Sequence, residues 1–307
     1  MLRLSTLALA LPLAFGSLPA PAQSVAFTFD DAPNMAQLPR LTASERNAAM
    51  LAALAKHKVQ AALFVTAAIG AHQPEGNALV RAWGEAGHII GNHTMTHPDL
   101  HSEAVTLARY QKEILDCDAV IESMPGYRKW FRFTYLREGK TPEKRDGMRQ
   151  FLAQQGYRNA YVSLDTSDWR LEEKLIEVLG KDSKADLSLL KKTYLAHIRQ
   201  RATAYRALSL QLQGRDIAQV ILLHHNLINA LWLDDVIAQF REMGWTIVTP
   251  DAAVRDPVYA LQPVSGVAGQ SLLLSMARSL GLGKFPGWDR LTDDGDTEIA
   301  TLKAAGM

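Results

Sequence analysis

An α/β fold with about seven parallel strands and crossover helices is what this 307-residue chain predicts. Three observations carry that expectation. Short apolar, β-branched or aromatic runs alternate with longer stretches of helical spacing. Asp and His residues stand just after those runs, where a parallel α/β fold gathers its functional groups. The length suits one large α/β domain or two smaller ones. The runs at 25–29, 61–65, 88–92, 130–133, 159–164, 220–223 and 246–248 read as strands. Between the first two, "SERNAAMLAALAKHK" repeats apolar residues at helical spacing, with Ser44 in the N-cap position. "LDDVIAQFREMG" reads as a helix that stops at Gly244. Residues 171–214 read as an enlarged helical crossover, and 256–307 as a C-terminal extension of unknown role. Seven strands in one domain favour barrel-like closure over an open sheet, although periodicity is compatible with both.

The first 22 residues have one early Arg, a short apolar run and Ala20-Pro21-Ala22, the layout of a signal peptide cleaved near Ala22. Pro12, Gly16 and Pro19 break the run below the roughly 20 residues a membrane span needs. No transmembrane segment is expected, and the location is periplasmic or secreted. The formal net charge of +1, with both signs mixed along the chain, gives no footprint for nucleic acid or an anionic membrane. Cys117 is the only cysteine, so disulfides do not staple the fold, and its helical context marks it as a small buried hydrophobe. Oligomeric state is not encoded in any visible pattern.

The stretch "VAFTFDDAPN" sets two adjacent carboxylates, Asp30 and Asp31, at the end of an apolar strand. "GNHTMTH" follows the third strand and spaces His93 and His97 four apart, on one face if the segment is helical. "DTSDW" ends the fifth strand and "LLHHN" the sixth. Singly these read as capped turns or core histidines; together they gather at one end of the sheet. A divalent cation at Asp31, His93 and His97 would offset the paired negative charge and leave positions open for water and substrate. Asp30 would then be free to act as general base. His224 is the candidate acid for the leaving atom, with Asp168 orienting its imidazole and raising its pKa.

"TFDDAP", "HTMTH", "RFTY", "DTSDW" and "LLHH", in this order, resemble the five motifs of the NodB-homology polysaccharide deacetylases. The resemblance implies a distorted (β/α) barrel of about seven parallel strands over 23–255. It also implies a metal-dependent amide hydrolase, with zinc the most common ion and cobalt or another divalent ion an alternative. The substrate class it implies is an N-acetylated glycan of the peptidoglycan or chitin type. Carried over, it makes Asp30 the base, Asp31, His93 and His97 the metal ligands, and Arg132 the partner that orients the base. The Tyr135 N–H becomes an oxyanion donor, Asp168 and His224 the acid pair, and Trp169 and Leu222 the walls of the acetyl pocket. Phe133 and Thr134 stand where the family usually has prolines, His225 where it often has Asp, and Ala32 where it has Gly.

Other readings of the same residues are an O-acetyl esterase or an amidase on a small non-sugar substrate. A glycan-binding protein with a degenerate site is a third, and a magnesium-dependent aspartyl phosphotransferase a fourth. The last fits two imidazoles poorly, since magnesium prefers oxygen ligands.

Overall fold

The computed structural model of the chain describes residues 23–264, 271–280 and 295–307, so the leader expected at 1–22 lies outside the described residues. Eight strands are present among them: β1 Ser24–Ala32, β2 Ala62–Val65, β3 Ile89–Asn92, β4 Tyr127–Phe131, β5 Arg158–Asn159, β6 Leu164–Asp165, β7 Ala218–His224 and β8 Thr246–Ile247. Every pairing is parallel, in the order β5-β4-β3-β2-β1-β7-β6, with β8 also on β1. The crossovers are α1 Ala43–Lys56, α2 Pro74–Glu85, α3 Leu107–Ile121, α4 Pro142–Gln154, the pair α5 Asp168–Lys181 and α6 Ser188–Gln213, and α7 Leu227–Glu242. After β8 come α8 Pro250–Ala253, α9 Leu272–Ser279 and α10 Asp296–Ala304.

The two edge strands are consecutive in sequence, and this forces the sheet to curl. Flat, seven strands about 4.8 Å apart would separate β5 from β6 by roughly 29 Å. The five steps from Asn159 to Leu164 span at most about 18 Å. The run expected as a fifth strand at 159–164 is therefore a corner. Asn159 pairs with Phe131 on one edge, and Leu164 pairs with Ile221 on the other. The expected α/β parallel fold is borne out, with an incompletely closed barrel.

Alternation along the strands sorts side chains between two layers. Leu63 and Val65 of β2 join the large outer core under the helices, whereas Ala62 and Phe64 form a small inner cluster with Ile89, Trp130 and Ala160. On β1, Phe27 meets Phe240 of α7 and Phe29 meets Trp83 of α2. Thr28 and Asp30 consequently point inward. Gly91 sits where a Cβ would lie 2.7 Å from the Phe64 ring, so glycine there lets that ring fill the interior.

Local signals set the helix ends. The cap of α1 is Thr42 rather than the expected Ser44: Thr42 Oγ1 accepts from Glu45 N, and the Glu45 carboxylate accepts from Thr42 N. This is a capping box, readable as T-x-x-E. Gly244, with φ +79°, follows the end of α7 as expected. Cys117 is fully buried. Two described parts of the extension, at Tyr259 and Leu272, dock against the corner. Leu272 N donates to Val162 O at 2.7 Å, and Ser163 and Tyr259 share a hydroxyl bond at 2.9 Å. Among the described residues no helix is long and apolar enough to cross a membrane.

Candidate metal and acid–base site

The carboxyl ends of β1, β2, β3 and β7 are laced together just where the motif residues leave them. Thr66 N donates to Ala32 O at 3.0 Å, His93 N to Val65 O at 2.9 Å, and His225 N to Asp30 O at 2.9 Å. Asp31 turns into the left-handed region (φ 60°), which swings its carboxylate out of the strand's alternation. The His pair is carried by a loop, not by a helix, and Thr94 and His97 are also left-handed. Four bonds to α3 hold that loop. Asn92 Nδ2 donates to Ile114 O and to Asp118 Oδ1, and Thr96 donates from N and Oγ1 to the Glu113 carboxylate.

The result brings His97 Nε2 within 3.3 Å of Asp31 Oδ1, and His93 Nε2 within 3.7 Å. Ligand atoms about 2.1 Å from a tetrahedral ion are about 3.4 Å apart. The three donors therefore have the spacing of a face of such a site, and all their ligand atoms lie within 4.8 Å of one another. Asp31 Oδ1 is buried with no hydrogen-bond partner, a costly arrangement for a carboxylate that a cation would resolve. His93 Nδ1 donates to Arg132 O at 2.9 Å, which fixes the tautomer and frees Nε2 as a ligand. Burial, with His97 beside it, lowers the His93 pKa to about 3, so the ring is neutral. The chain thus fits a divalent ion held by two imidazoles and one carboxylate.

Asp30 faces the barrel interior. Arg132 reaches it across the curled sheet: Nη1 lies 2.6 Å from Asp30 Oδ1 and 2.8 Å from Thr28 Oγ1, while Nε donates to Ala160 O at 3.0 Å. The guanidinium lies 4.0 Å from the Phe64 ring centroid. Burial raises the Asp30 pKa; Arg132 and His224 pull the other way without cancelling it. Asp30 is thus a carboxylate with raised basicity.

His224 pairs in register with Asp30, so the two share one face of adjacent strands. Its Nδ1 lies 2.5 Å from Asp168 Oδ1, and its N–H donates to Asp168 Oδ2 at 3.0 Å. Burial alone would lower the His224 pKa, but Asp168, with Asp31 and Asp30 behind it, raises it to about 10. His225 points elsewhere: its Nδ1 accepts from Asn34 N and its Nε2 meets Asn47 Oδ1 at 3.0 Å. Burial drops its pKa to about 4. Asp168 is also fastened by Asn229 Nδ2 at 2.6 Å, and Glu172 caps α7 through Leu227 and Ile228 N–H. Neither Asn229 nor Glu172 was legible as a site residue, although "LLHHNLIN" places an Asn one helical turn beyond the motif.

The linkage has a definite sign. The His224 pKa is raised on folding, so the stability it contributes is fully present below about 6.5. That contribution is lost as pH rises toward about 10. In metal-free protein, the Tm gap between wild type and His224→Gln is therefore expected to shrink between these pH values; a gap independent of pH would contradict it.

Of the remaining predicted residues, Leu222 is buried on the His224 face, opposite Thr28. Tyr135 has φ 55° and a half-exposed ring whose centroid is 4.5 Å from that of His97. Its neighbours Leu136 and Arg137 donate to Phe133 and Thr134, but no described residue accepts from Tyr135 N–H. Trp169 is the second residue of α5, and its ring lies 4.5 Å from the Arg170 guanidinium, beside Gly295. Among the described residues no hydrogen bond, ion pair or ring contact joins it to Leu222, His93 or His97.

Comparison with known proteins agrees with this architecture. Residues 17–160 match the polysaccharide deacetylase family, bearing out the resemblance read from the motifs; Asp168 and His224 lie beyond the matched segment. A peptidoglycan-N-acetylglucosamine deacetylase of Bacillus cereus is 28% identical over 147 residues, covering 48% of this chain and 46% of the relative. A chitooligosaccharide deacetylase of Rhizobium leguminosarum bv. trifolii is 36% identical over 107 residues, covering 34% and 42%. The chain thus spans about half the length of the curated relatives it matches. In fold, it resembles the Bc1960 peptidoglycan N-acetylglucosamine deacetylase, with a TM-score of 0.53 at 23% identity over 76% of this chain and 89% of that one.

Proposed function

On the premise of that family match over residues 17–160, we propose that the chain is an exported, metal-dependent hydrolase. Its reaction is removal of acetyl groups from an N-acetylated glycan of peptidoglycan or chitin type. The observation that carries the proposal is the orphaned Asp31 Oδ1 facing two imidazoles, beside Asp30 with its Arg132 partner and the His224–Asp168 pair on the neighbouring strand. The relatives' glycan substrates support the substrate class.

A divalent ion, zinc being the best match to two imidazoles and a carboxylate, would polarise the acetyl carbonyl and acidify water. The chain's own groups do the rest. Asp30 accepts the proton of the attacking water, and Arg132 holds the carboxylate toward it. The free Tyr135 N–H donates to the oxygen that gains charge as the carbonyl carbon becomes tetrahedral. His224, as imidazolium, gives its proton to the departing amine, and Asp168 holds the ring in the tautomer and orientation this needs. Leu222 and Trp169 are assigned to the acetyl methyl. Export through the leader at 1–22 is part of the same proposal.

Acetate release separates the substrate readings. Release is expected from chito-oligosaccharides or peptidoglycan. Release from acetylated xylan alone would instead favour an O-acetyl esterase. Saturable glycan binding with zinc bound and no acetate released would favour a binding protein.

A further inference from the structure

The C-terminal extension reaches the loop before Asp168 through a buried ionic cluster. Glu298 on α10 is fully buried, as are its partners Arg201 and His197 on α6. Arg201 donates to Glu298 Oε1 from both Nε, at 3.1 Å, and Nη2. His197 Nε2 lies 3.1 Å from the same oxygen and 2.7 Å from Thr166 O. Both neighbours are acceptors, so Nε2 carries the hydrogen and ties the extension to the loop before Asp168. Burial would raise the Glu298 carboxyl, but His197 and Arg201 hold it below the ordinary range, so it is charged at neutral pH.

That loop needs holding. Ser167 is a non-glycine residue in the left-handed region (φ 45°), a conformation that persists only when its surroundings impose it. Asp165 Oδ1 takes Ser167 N at 2.7 Å, and Thr166 Oγ1 donates to Leu222 O on the strand that carries His224. On the other side of Asp168, Gly295 at the start of α10 packs against Trp169 and Arg170. A Cβ there would come within 2.9 Å of both side chains, and Gly295 has φ +84°. The extension thus grips residues 166–170 from two directions.

We infer that α10, through Glu298, braces the Asp168–His224 pair, making Glu298 a positioning residue for proton delivery to the leaving group. The inference rests on the catalytic reading of that pair. It separates the extension from a merely stabilising tail, because it requires the geometry of one hydrogen bond to depend on Glu298.

The test uses the full chain and two readouts. The first is the downfield resonance of the His224 Nδ1 proton in its short bond to Asp168, read by proton NMR without added metal. The second is the split between kcat and KM on an acetylated chito-oligosaccharide with zinc restored. Glu298→Gln is expected to shift or broaden the resonance and lower kcat about tenfold, the scale of lost supporting hydrogen bonds. KM and bound zinc should stay within about twofold, and Glu298→Asp should recover most of kcat. If Glu298→Gln does not fold, His197→Leu, which removes the bond to Thr166 O and keeps the Arg201–Glu298 pair, is expected to give the same pattern. A folded variant with an unchanged resonance and unchanged kcat overturns the brace. A wild type that releases no acetate overturns the deacetylase reading, while the resonance still decides the brace.

Discussion

Asp31→Asn is expected to remove bound metal and turnover together, with turnover falling by at least about 10³-fold, the scale of lost Lewis-acid stabilisation. The substitution keeps the size and the left-handed turn, which Asn tolerates well. What it removes is the negative charge that faces His93 and His97, and with it the reason for two imidazoles to converge there. His97→Ala is expected to behave alike, since His97 Nε2 at 3.3 Å makes the shorter of the two approaches to Asp31. Elemental analysis of purified variants checks this. Full metal retention in both variants would remove these residues as ligands.

Asp30→Asn is expected to do the opposite with metal. The ligand set is untouched, so bound metal should stay near wild type, while turnover falls about 10²- to 10⁴-fold, the span of general base catalysis. The side chain loses its charge beside Arg132, whose guanidinium is fully buried. Leaving that cation without its counter-ion is costly, so a Tm drop accompanies the loss. Turnover must therefore be compared per folded molecule. Wild-type turnover in folded, metal-loaded Asp30→Asn would exclude Asp30 as the base.

How much of this was legible follows from what each pattern reports. Strand positions and the shared end of the sheet were readable because alternation reports burial, and Asp30, His93 and His224 all stand at strand ends. Alternation does not report partners, which is why 159–164 read as one strand although its ends pair on opposite edges. The spacing of His93 and His97 was visible, but the backbone that brings them together is a left-handed loop held by α3. Arg132 stands 102 residues from Asp30, and the bond between them exists only because the sheet curls; its place came from the family resemblance alone. The contact of Glu298 with Arg201, 97 residues apart, had no periodic signal at all, since α10 is a short helix after a stretch without rhythm.

One measurement bears most directly on the central claim that Asp31, His93 and His97 hold a single hydrolytic metal ion. Chelator-stripped protein is titrated with zinc, and acetate release from an acetylated chito-oligosaccharide is followed against metal bound. No release is expected without metal, and with metal a linear rise that saturates at about one ion per chain, the stoichiometry of a single three-ligand site. Undiminished release from metal-free protein, or saturation of the site with no release from any acetylated glycan, would contradict it.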